Sequence, residues 1–247
     1  MRITLLFAAI CIFLSCKTEL KNTEPVKGDM KADVVFLASD SLQGRETGTS
    51  YELLAADYIA KRMKESGLSP KGNEGTYFQT FSFKQSNDPH TEAAFTDEQG
   101  DGFLTGTNVI GFIDNGAKTT VVIGAHYDHL GMGGEGSLYR DGEAIHNGAD
   151  DNASGVAVML ELAYRIKTSH LKGQNYLFMA FSGEEMGLLG SNYFTKNATI
   201  DLSTVSYMIN MDMVGRLNDE SVLAINGIGT SPRWNQIINS VNKDFKL

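Results

Sequence analysis

Three apolar runs, TTVVIGA (119–125), NYLFMAFS (175–182) and VSYMINMDM (205–213), alternate with stretches whose apolar residues recur at helical spacing. Short apolar runs of this length read as strands, and NYLFMAFS reads as a buried one. Between the first two, ASGVAVMLELAYRIK carries apolar residues at 156, 159, 160, 163 and 166, which is one face of a helix. GLLGSNYFTKN, between the second and third, reads as a short helix. Strands that alternate with helices imply an α/β fold with a largely parallel central sheet. In such sheets the carboxyl ends of the strands host the functional site.

Upstream, SYELLAADYIAKRMKES (50–66) places apolar residues at 54, 58, 59 and 63 and is followed by Gly67, a helix with a stop signal. YFQTFSF (77–83) alternates as a strand does. NVIGFI (108–113) and TTVVIGA flank DNGAK, whose Asn-Gly pair signals a hairpin, so these two strands are expected to pair antiparallel. A net charge of -9 with no clustered Lys or Arg excludes a nucleic-acid partner.

The amino terminus stands apart. Arg2 precedes ITLLFAAICIFLS, too short to span a bilayer and suited to the core of a signal peptide, so residues 1–16 are expected to be removed. FLSCK resembles a bacterial lipoprotein signal, which implies lipidation of Cys16 and a periplasmic, outer-membrane or cell-surface lipoprotein; Phe13 departs from the expected Leu, and a plain signal peptide is the alternative. Residues 17–29 read as a tether, and 30–247 as one domain. Cys11 and Cys16 both lie in the leader, so the domain has neither a disulfide nor a thiolate metal site. Any metal must use His and carboxylates.

Four polar clusters fall near strand ends or helix starts: His126, Asp128 and His129; Asp150 and Asp151; Glu184 and Glu185; and Asp212. Singly, each reads as a solvated surface or a helix cap. Together at one end of a sheet they repel and are costly to desolvate unless a cation sits among them. His with carboxylates and no Cys suits zinc or a similar ion better than magnesium or calcium. Adjacent residues in an extended segment point to opposite faces, so one residue of the Glu184–Glu185 pair can ligate while the other meets water. That division is what metal-assisted hydrolysis requires.

GAHYDH, NGADDNASG, FSGEEMGLLGS and NMDMVG, in this order, resemble the motifs of the co-catalytic zinc aminopeptidases, the group of aminopeptidase Y and the secreted bacterial leucyl aminopeptidases. The likeness spans roughly residues 36–216 and includes the opening LASDSLQGRETGTSYELLAADYIAKRM. It implies a zinc-exopeptidase-like fold, a mixed, mostly parallel sheet flanked by helices, acting on peptide substrates. It implies that His126 and Asp212 hold one zinc ion (Zn2+), that Glu185 binds a second and that Asp151 bridges them. Glu184 would be the general acid/base, and Asp128 would accept the other ring N–H of His126. It also implies a cis peptide between Asp151 and Asn152.

His129 and His146 receive no role from the resemblance and read as loop or pocket-wall imidazoles; His90 and His170 read as surface residues, and Asp150 as a loop support or helix cap. Family members take a further His for the second zinc from well beyond the Asp of NMDM, and no His follows His170. The expectation is a domain lacking its C-terminal part, with a second zinc site that is weak unless His129, His146 or water substitutes. Competing readings are a glutaminyl cyclase-like acyltransferase, a carboxypeptidase and an inactive scaffold.

Overall fold

The computed structural model describes residues 24–84, 94–96, 100, 102–134, 137–217 and 222–245. The expected leader, with Cys11 and Cys16, most of the tether, and His90 lie outside the described residues. Among the described residues no helix is long and apolar enough to cross a membrane.

Five helices, α1 (Met30–Leu37), α2 (Ser50–Glu65), α3 (Gly155–Thr168), α4 (Leu189–Lys196) and α5 (Trp234–Phe245), accompany seven strands. The strands are β1 (Ser69–Pro70), β2 (Phe78–Lys84), β3 (Ala94–Thr96), β4 (Leu104–Ile113), β5 (Thr120–His126), β6 (Asn175–Phe181) and β7 (Val205–Asn210). They form one mixed sheet in the order β3-β2-β4-β6-β5-β7, with β1 paired to β4. Parallel pairing is confined to β6, β5 and β7; the β1 to β4 part is antiparallel.

Helices α1, α2 and α3 cover one face, where Ile59, Met63, Val109, Ile123, Leu160 and Phe178 share a buried cluster. On the other face Phe194 of α4 packs with Ile110, Val122 and Leu177. The apolar stripe of α3 is buried as its spacing requires, at Val156, Met159, Leu160, Ala163 and Ile166. In α2 the buried stripe is Ala55, Ala56, Ile59, Ala60 and Met63, while Leu54 is exposed. The helix presents small residues to the sheet, which lets it approach closely.

The expected β4–β5 hairpin does not form, because β6 lies between the two strands. The DNGAK segment bonds to the start of β6 instead of closing on itself. Asn115 N–H and Ala117 N–H both donate to Asn175 Oδ1, and Asn115 Nδ2 donates to Gln174 O at 2.7 Å. Asn-Gly still makes a turn here, with Gly116 at φ 67°, but the turn straddles a third strand.

Candidate metal centre

β5 pairs with β6 through His126↔Phe181 and with β7 through Gly124↔Asn210, both parallel, so three chain segments leave the sheet side by side. They carry His126 to His129, Ser182 to Glu185, and Met211 to Asp212. Opposite them the irregular turn 149–154 before α3 brings in Asp151, whose peptide bond to Asn152 is cis, as the resemblance implies. Asn152 is fully buried and joins two of these segments: its Nδ2 donates to His126 O at 3.2 Å and to Met211 O at 2.9 Å.

His126 Nε2 lies 3.2 Å from Asp151 Oδ1 and 3.6 Å from Asp212 Oδ1, and these ligand atoms lie within 4.8 Å of one another. Bonds of roughly 2.0–2.1 Å at tetrahedral angles place zinc ligands about 3.3 Å apart. The donor set and its spacing therefore fit the ion. Burial alone would push the His126 imidazole down, but Asp128, Asp151 and Glu184 outweigh it and push its pKa up to about 11. The hydrogen bond from His126 holds the Asp151 carboxyl below its usual range. The carboxylates that favour a proton on His126 would equally favour a metal cation among them.

Glu184 lines a cavity of about 270 Å³ with His126, Phe181, Leu188 and Met208. Burial raises its carboxyl pKa, with His126 opposing and Asp128 adding to the shift. Glu185 contacts His129, whose Nδ1 lies 2.6 Å from Glu185 Oε1. The pair sits in a turn and not in the expected extended segment, and one oxygen of each lies within 4.8 Å of the other and of a His126 ring nitrogen, so alternation does not separate the two.

Asp128 departs from its expected contact. Its Oδ1 is 3.7 Å from His126 Nδ1, beyond hydrogen-bond reach, whereas its backbone carbonyl is at 3.3 Å. The buried carboxylate instead accepts from Glu184 N–H at 3.1 Å, Glu185 N–H at 3.3 Å and the Thr47 hydroxyl at 3.1 Å. It orients the glutamate pair through its backbone. Asp150 supports the loop, accepting from Gly215 N–H at 2.9 Å and from the Ser154 hydroxyl. His146 bonds to Ser137 Oγ and Ala144 O within the 131–147 loop, and His170 is exposed.

Sequence reasoning missed the supports beneath the site. Arg45, fully buried, donates to the carbonyls of Leu37, Tyr127, Asn147 and Gly148, fixing the end of β5 against the turn that carries Asp151. Glu52, also fully buried, accepts from Gly48 N–H at 2.7 Å, Thr107 N–H at 3.2 Å and the Ser182 hydroxyl. Its carboxyl pKa is raised to about 7 by burial, against the opposing hydrogen bond from Ser182. Tyr127 has one hydroxyl proton and Thr107 O, 2.6 Å away, can only accept it. The same hydroxyl lies 3.0 Å from Glu52 Oε1, a second acceptor for its proton, on which Ser182 Oγ and Thr107 N–H also converge. The signal for Arg45, Thr47 and Glu52 was the GRETGTSYE segment, recognised only as part of an opening motif.

The chain matches the model of peptidase family M28 over residues 108–246, more than half its length. It is 28% identical over 207 residues to the alkaline phosphatase isozyme conversion protein of Escherichia coli (strain K12), covering 83% of this chain and 56% of that protein. It is 33% identical over 146 residues to a probable leucine aminopeptidase of Arthroderma otae, covering 56% of this chain and 37% of that one. The chain thus spans about half or less of the length of these relatives. A leucine aminopeptidase precursor from Bacteroides thetaiotaomicron has the same fold, with a TM-score of 0.61 at 18% identity over 89% of this chain and 74% of that one. With the motif order, the sheet and the convergence of His126, Asp151 and Asp212 in agreement, the chain belongs to peptidase family M28.

Proposed function

We propose that this chain carries the catalytic centre of a zinc-dependent aminopeptidase, which hydrolyses the N-terminal peptide bond of peptides. The observation that carries this reading is the convergence of His126, Asp151 and Asp212 at zinc-ligand spacing, with Glu184 beside them facing a cavity. Zinc, when bound there, supplies Lewis acidity toward a carbonyl oxygen and toward water. The chain's own residues do the rest. Glu184, with its raised pKa, accepts the proton of the attacking water and delivers it to the leaving amine. Asp128 holds Glu184 in place through its backbone N–H. The names of the fungal and Bacteroides relatives support N-terminal specificity. The leader 1–16 further supports export, with lipidation at Cys16; Cys16→Ala should then release the protein from the membrane fraction.

The test is release of p-nitroaniline from a panel of aminoacyl-p-nitroanilides. Release should disappear with a chelator and return with zinc. Absence of release for every residue type, together with cyclisation of peptides bearing N-terminal glutamine, would replace this reading with the acyltransferase one.

A further inference from the structure

The glutamate pair sits in a turn where three consecutive backbone N–H groups converge on two side chains. Gly183 N–H donates to the Thr47 hydroxyl at 3.0 Å, Glu184 N–H to Asp128 Oδ1 at 3.1 Å and Glu185 N–H to Asp128 Oδ2 at 3.3 Å. Gly183, at φ 68°, turns the chain, and successive N–H groups in such a turn form a concavity that holds an anion. Here the anion is the Asp128 carboxylate. Thr47 completes the arrangement, because its hydroxyl accepts from Gly183 N–H and gives its single proton to Asp128 Oδ2 at 3.1 Å. One side chain thus touches both the carboxylate that orients Glu184 and the residue that precedes Glu184.

The hydroxyl is held from both sides. Thr47 is 2% exposed. Two residues before it, Arg45 donates to Tyr127 O at 2.8 Å; just after it, Gly48 N–H donates to Glu52 Oε2 at 2.7 Å. The other Glu52 oxygen takes the hydroxyl of Ser182, the neighbour of Gly183. Arg45 and Glu52 therefore clamp the segments that meet at the Thr47–Gly183 bond, 136 residues apart in sequence. An isosteric valine would fill the same space, yet leave Gly183 N–H without an acceptor and Asp128 with one donor fewer. Burial alone does not require a hydroxyl at this point; the amides of the turn do.

We infer that Thr47 is a positioning residue for Glu184: it holds Asp128 and Gly183 so that the Glu184 carboxylate stands beside the metal ligands. The catalytic consequence rests on the peptidase reading above, whereas the structural one rests on the hydrogen bonds alone. Those bonds bypass His126, Asp151 and Asp212, so metal binding should not depend on them.

The experiment compares Thr47→Val and Thr47→Ser with wild type in the full 247-residue chain. It measures steady-state kinetics on an aminoacyl-p-nitroanilide, zinc content, and amide hydrogen exchange of the metal-free protein by NMR. Thr47→Val should lower kcat by about 10–100-fold, as a misplacement of about 1 Å at a reacting group does, with KM and zinc content near wild type. Thr47→Ser keeps the hydroxyl and should restore most of kcat. In Thr47→Val, exchange at Glu184 and Glu185 should quicken together with that at Gly183, by about tenfold or more, the weight of a hydrogen bond to a charged group. Thr47→Ser should leave all three amides protected. Wild-type kcat in Thr47→Val, zinc lost in step with kcat, an equal loss in Thr47→Ser, or exchange that quickens at Gly183 alone would overturn the inference. Absence of hydrolysis by wild type would instead remove the reading under Proposed function, and the exchange data would still decide whether Thr47 holds the turn. If Thr47→Val fails to fold, the wild-type protein decides: the three amides should exchange through one common opening, and unequal opening free energies among them would overturn the inference.

Discussion

β5 and β7 lie side by side, run parallel and carry similar apolar sequences, yet their surroundings are opposite. Every residue of β5 is buried, and His126 at its end is 2% exposed. β7 is the sheet edge, with Tyr207, Met208 and Ile209 each more than 40% exposed, and Asp212 beyond it has a side chain 48% exposed. The metal centre is therefore built from a firm half and a loosely covered half. On the firm side Arg45, Glu52 and Asp128 fix the backbone; on the other, Asp212 is placed by the β5–β7 ladder and by Asn152. The apolar residues of α5, Ile237, Val241 and Phe245, are exposed as well. Among the described residues, β7 meets the Trp234 ring at Tyr207, 5.6 Å between centroids, and stays largely exposed.

The largest expected effect breaks the firm half. Ile123→Ala removes a side chain that is 4% exposed and should destabilise the fold by about 2–5 kcal/mol in urea unfolding. Glu52 gives a pH signature of similar size. Its folded pKa of about 7 lies above the ordinary 4.5, so the folded state binds the proton more tightly than the unfolded one. The associated stability is complete below pH 4.5 and lost as pH rises through 7, on the order of 3 kcal/mol. Comparing unfolding at pH 5 and pH 8 should show this loss in wild type and a flatter profile in Glu52→Gln; equal slopes would show that Glu52 is not protonated in the fold.

Asn152→Ala should uncouple the two halves. It leaves the carbonyls of His126 and Met211 short of donors, which costs about 1–3 kcal/mol. It should also weaken zinc binding by roughly 10–100-fold, since Asp212 loses its tether to β5; zinc affinity equal to wild type would show that Asp212 needs no such tether. The smallest effect belongs to β7: Ile209→Ala, 44% exposed, should change stability by less than about 1 kcal/mol. A loss comparable to that of Ile123→Ala would mean that the two strands are equally buttressed in solution.

The strands, the buried stripe of α3 and the four polar clusters were legible because periodicity and strand-end position are local properties. The β4–β5 pairing was not. An Asn-Gly turn specifies a reversal, but which strand fills the gap depends on Asn175, some 60 residues away. The roles of Arg45 and Glu52 were hidden for the same reason: a charged residue in a motif gives no hint that burial will turn it into a brace among distant carbonyls and amides. His129 was legible as a residue type but not as a neighbour of Glu185, because 56 residues separate them. Asp128 illustrates the reverse: the motif named the residue, and only the structure supplied its contacts with Glu184 and Glu185 N–H.

The central claim is that Glu184 moves the proton while its neighbours hold the metal. Glu184→Gln measured for zinc content and turnover in the same preparation tests it most directly. The account predicts zinc at the wild-type level with hydrolysis abolished. Hydrolysis at the wild-type rate, or zinc lost together with activity, would contradict it.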